Sequence, residues 1–206
     1  MLIFLFFSCN KKVEIKKAIC ILVENKYIKS NDYLNLLIIN SSNENYFIII
    51  DTNRIFDYPS LNNRYNESIH LKPVFYLGQD ITNIRLETKV IKSIELDTNH
   101  YNCMKRQREF TDKYIKDFKN LKNILILKKH SKIKLKIPFK TKYENCNKCY
   151  NYLFDKENRY SIKFEYKLNE QLIEKEVSNA ILLGLRNDSI KPFYDIITTN
   201  KVRLQL

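Results

Sequence analysis

Glycine is almost absent from this 206-residue chain, which contains only Gly78 and Gly184. An average globular protein uses about 7% glycine. A phosphate-binding loop, G-x-x-x-x-G-K-S/T, and a dinucleotide fingerprint, G-x-G-x-x-G, both need clustered glycines, because the backbone must approach the ligand closely. Two isolated glycines cannot form either motif. The sequence therefore argues against nucleotide-dependent chemistry on these scaffolds.

The familiar catalytic and metal-binding motifs are missing as well. His70, His100 and His130 stand alone in the sequence, without an H-E-x-x-H pattern. A G-x-S-x-G nucleophile elbow needs glycines that the chain lacks, and tryptophan, a frequent sugar-stacking residue, is absent. Paired carboxylates for glycoside chemistry are assembled in space and are not visible in one sequence. We therefore expect no catalytic residue, no metal and no cofactor.

Acidic residues are outnumbered, with 23 Asp and Glu against 36 Lys and Arg, which gives a net charge of +13. Such an excess concerns solubility and anionic partners rather than the fold. The abundance of Asn, Lys and Ile is typical of an AT-rich genome, which supplies a simple source for many of the lysines. Basic excess alone is weak evidence for nucleic-acid binding, and we expect none here.

The densest basic run lies at 128–136 and alternates lysine with apolar residues. In a strand, this alternation places Lys132, Lys134 and Lys136 in a row on one solvent face. The row could bind phosphates of lipopolysaccharide, an acidic glycan or an acidic protein. It could equally be structural, because lysines on a sheet edge prevent edge-to-edge pairing. The sequence leaves both interpretations open.

A period of two dominates the chain and predicts a mainly β fold, an antiparallel sandwich of short strands. The strands are predicted at 19–25, 33–40, 46–50, 71–77, 81–86, 90–96, 122–128, 132–140, 160–168 and 200–206. The alternation predicts that one set of side chains is buried: Ile133, Leu135, Ile137, Ile162, Phe164, Tyr166, Val202 and Leu204. It predicts exposure for Lys132, Lys134, Lys136 and Lys163.

One segment, 103–120, follows a helical period instead. Phe110, Tyr114 and Phe118 recur at i, i+4 and i+8, with Ile115 beside them, and charged residues occupy the other faces. We expect a single helix here, inserted between strands and packed against a sheet or across an edge.

The first residues combine a short apolar run with a cysteine. Leu2 to Phe7 is too short to span a bilayer, which takes about 20 residues. The stretch FFSCNKK resembles the lipobox of cell-envelope lipoproteins from Bacteroidota, in which an apolar run ends in Ser-Cys and polar residues follow. The resemblance covers about the first dozen residues. It implies that Cys9 carries the lipid and that this thioether-linked anchor holds the protein in the membrane.

The chain is accordingly divided into three parts. Residues 1–8 are interpreted as a truncated lipoprotein signal peptide, 9–17 as the lipid anchor and charged tether, and 18–206 as the β-sandwich domain. Within that domain, LNLLIINSSNENYFIII and TTNKVRLQL resemble strands of immunoglobulin-like sandwiches in envelope lipoproteins. This resemblance implies an immunoglobulin-like fold and brings no catalytic residues with it.

Four cysteines remain besides Cys9, and only Cys146 and Cys149 have motif spacing, C-x-x-C. A structural zinc site would need a second pair of ligands. A thiol–disulfide exchange centre would need the pair at a helix start, and the following residues are poor helix formers. A loop-locking disulfide, or two thiols without a role, is the simplest interpretation. Cys20 lies in ICILV and should be inert, and a bridge to Cys103 requires Cα atoms within about 7 Å.

The sequence thus predicts an envelope lipoprotein that acts as a non-enzymatic binding or interaction module. The outer membrane is its expected location, with the domain periplasmic or surface-facing. Its partners would be the membrane, through Cys9, and an unidentified protein or an acidic glycan or lipid. Two alternatives stay open: a thiol–disulfide oxidoreductase that uses the C-x-x-C pair, and a periplasmic inhibitor or immunity lipoprotein.

Overall fold

The fold is mainly β, as the alternation predicts. The structure, a computed structural model, describes residues 17–50, 52, 71–90, 98–145 and 148–206. The strands in these residues are β1 (Ile19–Val23), β2 (Tyr27–Lys29), β3 (Asp32–Asn40), β4 (Asn45–Ile49), β5 (Lys72–Leu77), β6 (Asp80–Ile81), β7 (Leu86–Val90), β8 (Ile124–Leu127), β9 (Lys132–Phe139), β10 (Lys142–Asn145), β11 (Lys148–Tyr152), β12 (Tyr160–Tyr166), β13 (Ile190–Pro192), β14 (Ile197–Thr198) and β15 (Val202–Gln205). The helices are α1 (Thr98–Lys119), α2 (Glu170–Glu176) and α3 (Asn179–Asn187).

The first sheet has the order β1-β3-β9, and all its pairs are antiparallel. Ile38 of β3 is the partner of Ile21 on one side and of Ile133 on the other. Because successive side chains point to opposite faces of a strand, this register collects apolar residues on one inner face. Ile21, Leu34 and Ile38 are fully buried there.

The second sheet has the order β2-β15-β12-β5-β6, with β14 also paired to β12. Its inner face carries Ile28, Val202, Phe164 and Phe75, all of which are buried. The hairpin from β5 to β6 turns through Gly78 at φ 62°, and Leu77 is the partner of Asp80. A two-residue hairpin with a positive φ at its first central position is the turn in which glycine is favoured.

The inner faces of these two sheets share one core, which makes the architecture sandwich-like. Phe139 of β9 and Phe164 of β12 meet edge to face with ring centroids 6.1 Å apart. Buried residues of both sheets belong to one hydrophobic cluster. Since each sheet turns its inner face towards this core, the two outer faces point away from each other.

Two smaller sheets extend the sandwich. One has the order β13-β4-β8, in which β13 runs parallel to β4; the other has the order β10-β11-β7. The second packs onto β5 through an aromatic cluster in which Phe75 contacts Tyr152 and Phe154 at centroid distances of 5.0 and 5.3 Å. Edge-to-face geometry of this kind favours such pairs beyond the area they bury.

The polar turn between β3 and β4 separates two sheets instead of forming a hairpin. The buried side chain of Asn40 donates through Nδ2 to the carbonyls of Glu44, Leu127 and Lys128, and its Oδ1 accepts from the N–H of Ser42. A buried amide must find such partners, because leaving it unpaired is costly. Asn40 thereby fixes the point at which the chain leaves the first sheet.

Tyr166 joins β12 to β4 across the core. Its hydroxyl donates to the carbonyl of Ile49 at 2.7 Å and accepts from the Ile49 N–H at 3.0 Å. Along that edge of β4, pairing with β13 ends at Pro192 and Phe47. The tyrosine hydroxyl therefore takes the place of a further strand residue and satisfies backbone groups that would otherwise be buried without partners. Burial of the phenol raises the pKa of Tyr166 well above its ordinary value of 10.0.

A second link of the same kind joins the β1-β3-β9 sheet to the six-stranded sheet. The Val23 N–H donates to Asn200 Oδ1 at 2.7 Å, and Asn200 Nδ2 donates to the Val23 carbonyl at 3.1 Å. Beside it, the Phe164 N–H donates to Thr199 Oγ1 at 3.0 Å. Side chains of the β14–β15 connection thus pair with the backbone of β1 and β12.

Most predicted strands are confirmed, and one is wrong. Instead of one strand over 81–86, β6 pairs with β5 while β7 pairs with β11 in another sheet. The predicted strand at 90–96 lies, after Val90, outside the described residues. The immunoglobulin-like topology stays a prediction.

The helix predicted at 103–120 is confirmed as α1, which begins at Thr98 and ends at Lys119. The side chains of its predicted stripe, Phe110, Tyr114 and Phe118, lie outside the described residues, whereas Ile115 packs against the core. The prediction of a single helix is wrong, because α2 and α3 follow β12. The Asn169 side chain caps α2 by accepting from the Leu172 N–H at 3.1 Å, a local signal that the sequence contained.

The burial predictions hold for six of the eight core residues. Ile137, Ile162, Phe164, Tyr166, Val202 and Leu204 are buried. Ile133 and Leu135 are only half-buried. Both lie on β9, an outer strand of the β1-β3-β9 sheet, where only β3 shields them from the side. Lys132, Lys134 and Lys136 are exposed as predicted, but Lys163 is half-buried beside the ring of Tyr76.

Candidate anion-binding faces

The lysine row, Lys132, Lys134 and Lys136, lies on the outer face of the β1-β3-β9 sheet. Lys134 Nζ forms an ion pair with Glu24 Oε1 at 3.2 Å. Lys136 Nζ lies 4.6 Å from the centroid of the Tyr33 ring. Two of the three ammonium groups thus have partners within the protein. This arrangement, on the last strand of the sheet, agrees with the structural interpretation of edge lysines.

A second basic face, which the sequence analysis missed, lies on the outer side of the six-stranded sheet. We call it the tyrosine–cation face and define it by six residues: Tyr27 and Lys29 of β2, Tyr76 of β5, Lys163 of β12, Lys201, and Arg203 of β15. Their buried strand neighbours, such as Ile28, Phe75, Ile162 and Val202, point to the core. Alternation therefore places all six on the opposite face.

Strand register arranges part of this face in a row across the sheet. Arg203 is the partner of Tyr27 on one side and of Ser161 on the other, and Ser161 is the partner of Tyr76. Neighbouring strands lie about 4.8 Å apart, so the two tyrosines are separated by about 14 Å. Ile81, 69% exposed, is the partner of Tyr76 and ends the row.

Ammonium groups lie close to both tyrosine rings. Lys29 Nζ is 5.5 Å from the ring centroid of Tyr27, and Lys201 and Lys163 are 4.2 and 5.5 Å from that of Tyr76. Lys201 Nζ also donates to the Gly78 carbonyl and to Gln79 Oε1, each at 3.2 Å. The β5–β6 turn and the ring therefore orient this ammonium group before any ligand arrives.

The cations of this face differ from Lys134 of the lysine row, because none of them has an acidic partner among the described residues. Where the structure describes the chain, its ion pairs involve other lysines: Lys89, Lys119, Lys122, Lys134 and Lys191. Lys29, Lys163, Lys201 and Arg203 take part in none of these. Glu165 lies on the same side of β12, but its partners in the neighbouring strands are Lys72 and Thr198. The tyrosine–cation face is thus the stronger concentration of unneutralised positive charge.

Of the cysteines with a predicted role, only Cys149 lies within the described residues. Cys9 and Cys146 lie outside the described residues, so the lipidation of Cys9 and a disulfide between Cys146 and Cys149 stay predictions. Cys149 lies in strand β11 opposite Glu144 of β10. A strand does not supply the helix N-terminus that stabilises the thiolate in exchange centres.

Cys20 lies on the outer face of β1 with a free thiol, and the side chain of Cys103 lies outside the described residues. Burial raises the pKa of the Cys20 thiol, and the charge of Lys17 opposes that shift to a smaller extent. The inert character expected from its place in ICILV has this physical basis, although the side chain is only half-buried.

The described residues add two constraints. No group of three or more His, Cys, Asp and Glu side chains there is arranged to hold a metal ion. None of α1, α2 and α3 is both long and apolar enough to cross a membrane. In comparisons with known proteins, the chain matches no family, no curated protein and no solved structure.

Proposed function

We propose that this protein is a lipid-anchored binding module of the cell envelope, which holds an acidic glycan on its tyrosine–cation face. One observation carries the proposal: four cations and two tyrosines share one sheet face, and none of the cations pairs with a carboxylate in the described residues. A concentration of one sign of charge attracts ligands of the other sign.

The chemistry of the face suits a linear acidic polysaccharide. Lysine and arginine can pair with its carboxylate, sulfate or phosphate groups, and aromatic rings present apolar surfaces to the C–H faces of sugar rings. Tyr27 is 45% exposed, so its ring is accessible. The row across the strands offers contacts over about 14 Å, which favours an extended ligand over a single small anion.

The location rests on the lipobox-like stretch that ends in Cys9. A lipid on this residue would hold the domain at the membrane through the tether 9–17. The expected outcome in the native host is a mature chain that begins with acylated Cys9, and Cys9→Ser should remain unprocessed. Intact-mass measurement checks this expectation, and an unmodified Met1 in the native host would refute the anchor.

Glycan binding is tested with a fourfold variant, in which Lys29, Lys163, Lys201 and Arg203 are replaced by glutamine. Heparin and polygalacturonate serve as sulfated and carboxylated probes. Exposed ion pairs contribute about 0.3–1 kcal/mol each, so losing four of them should raise the dissociation constant about 10- to 1,000-fold. The matched control replaces Lys132, Lys134 and Lys136 by glutamine and should change it less than threefold.

Salt and competition complete this test. Binding should weaken as ionic strength rises, because exposed charges are screened within about 10 Å at 0.1 M salt. Single-stranded DNA is the competitor that decides the class of ligand. If DNA binds more tightly than both glycans at equal charge, the glycan assignment is wrong. Equal losses in the fourfold variant and in the control would refute the face itself.

A further inference from the structure

The outer face of the β1-β3-β9 sheet has an unusual composition. Its outward positions on β1 and β3 include Cys20, Leu22, Leu37 and Ile39, all half-buried although they point away from the core. The strand register sets two rows, Cys20–Ile39–Lys132 and Leu22–Leu37–Lys134. We call these four residues, together with the lysine row, the aliphatic–lysine face.

The usual alternation of apolar and polar residues along a strand is missing from this face. A sheet with one face in water normally has polar residues on that face. Strands that are buried on both faces have nearly continuous apolar sequences instead. β1 reads ICILV and β3 reads DYLNLLIIN. By contrast, the outward positions of β12 are Ser161, Lys163 and Glu165. The two sheets of the sandwich therefore differ in the composition of their outer faces.

The start of the domain lies at this sheet. Ser41, just after β3, donates through its N–H to the Ala18 carbonyl and through Oγ to the Lys17 carbonyl, both at 2.9 Å. The chain therefore enters β1 beside the Cys20–Ile39–Lys132 row. From Cys9 to Lys17 there are eight residue steps, which span at most about 28 Å.

We infer that the aliphatic–lysine face rests on an anionic phospholipid surface. The inference rests on the lipid anchor of the proposed function, because the short tether keeps this sheet near the bilayer. Aliphatic side chains bordered by lysines are the composition of surfaces that lie in the membrane interface: the apolar groups enter the headgroup region while the ammonium groups meet lipid phosphates. The lysines thus supply charge complementarity to anionic lipids.

This orientation has a functional consequence. Because the two outer faces of the sandwich point away from each other, a protein resting on the aliphatic–lysine face presents the tyrosine–cation face away from the membrane. The glycan would then be held on the side of the domain opposite to the lipids.

Vesicle partition tests the inference without the anchor. Full-length Cys9→Ser protein is mixed with phosphatidylcholine vesicles that contain or lack phosphatidylglycerol. Each lysine near an anionic surface contributes about 1 kcal/mol, so replacing Lys132 and Lys136 together by glutamine should weaken partition about 30-fold. The control replaces Lys105 and Lys113, exposed on α1, by glutamine and should change it less than twofold. Equal effects in both variants would overturn the inference.

A site-specific probe gives the second readout. The chain has no tryptophan, so Leu37→Trp and Tyr27→Trp each place one reporter on one of the two faces. With phosphatidylglycerol vesicles, we expect a blue shift and quenching by brominated lipid for Leu37→Trp only. A shift of Tyr27→Trp alone or of both reporters would overturn the inference. So would a Leu37→Trp shift that depends on protein concentration without vesicles, because it would indicate a second copy on this face.

The tests separate the two proposals. Circular dichroism confirms that each variant is folded before its partition is measured. Loss of the lipid modification with intact vesicle selectivity would refute the anchor and leave the membrane-resting face standing. An acylated Cys9 with no difference between the two reporters would support the anchor and refute the membrane-resting face.

Discussion

The two basic faces of this sandwich differ in how they are built and in how their charges are used. The lysine row lies within one strand, β9, and its central ammonium group is paired with Glu24 at 3.2 Å. The tyrosine–cation face collects residues from Tyr27 to Arg203, and its cations have no carboxylate partner in the residues described. Density of lysine in the sequence is therefore a poor measure of unneutralised charge on the surface.

The physical reason is that neutralisation is decided by neighbours in other strands. β3 and β1 bring Tyr33 and Glu24 to the lysine row. On the tyrosine–cation face, the strand partners of Tyr76 and Arg203 are Ser161, Ile81 and Tyr27, none of which is acidic.

Hydrogen bonds between sheets stabilise the sandwich, and Tyr166→Phe breaks the buried link between β12 and β4 of the β13-β4-β8 sheet. Removing the hydroxyl leaves the N–H and carbonyl of Ile49 without that partner. A buried polar group left unpaired costs about 1–3 kcal/mol, so the free energy of unfolding should fall by about 2–4 kcal/mol. Urea denaturation measures it. Tyr33→Phe, at an exposed ring, should change it by less than about 0.5 kcal/mol.

The same residue predicts a pH dependence. An unfolded tyrosine ionises near 10.0, whereas burial raises the pKa of folded Tyr166. The folded state then binds more protons than the unfolded state, so the contribution of Tyr166 to stability is fully present below pH 10 and is lost as pH rises further. Denaturation series above pH 9 should show a shallower alkaline loss for Tyr166→Phe. Equal slopes would contradict the burial of this phenol.

Asn200→Ala breaks the second link. Two hydrogen bonds to Val23 are lost, and a typical one contributes about 0.5–1.5 kcal/mol net. Thermal unfolding should report a destabilisation of about 1–2 kcal/mol. Asn43→Ala is the control, because the Asn43 side chain contacts His130 at an exposed position. A wild-type melting temperature for Asn200→Ala would mean that the connection does not fasten β1.

Cys20 reports on the aliphatic–lysine face. Because burial raises its pKa, alkylation at pH 8 should be slower than for an unhindered thiol, since the thiolate is the reactive form. Lys17 lowers this pKa, so Lys17→Gln should slow alkylation further, by up to about threefold. Mass spectrometry of the modified peptide measures the rate. A faster rate in the variant would show that the sign of the Lys17 effect is wrong.

Glu24→Gln tests the difference between the two basic faces, and its expected effect on stability is the smallest. It removes the carboxylate that pairs with Lys134 and makes the first face resemble the second. The pair is exposed, so the free energy of unfolding should change by less than about 0.5 kcal/mol. Partition onto phosphatidylglycerol vesicles should rise about fivefold, because one negative charge is lost near the surface. Unchanged partition would show that Lys134 does not face the lipid.

Local patterns predicted much of the fold. Strict alternation placed β9, β12 and β15, and the burial of Ile162, Phe164 and Val202 followed from it. The i, i+4 spacing placed α1. The prediction over 81–86 failed because the hairpin turn at Gly78 ends its second strand at Ile81, after which the chain crosses to another sheet. The helices α2 and α3 were missed because they have only 7 and 9 residues, so each contains too few turns to show a clear helical period.

The sequence by itself determined the features that depend on neighbours along the chain: most of the strands, the main helix and the exposure of the lysine row. Only the tertiary structure decided which strands lie side by side. The pairing of Lys134 with Glu24, the link from Tyr166 to Ile49 and the tyrosine–cation face all follow from that choice. The physical reason is one of range: alternation acts between adjacent residues, whereas charge neutralisation and buried hydrogen bonds join residues such as Val23 and Asn200, 177 positions apart.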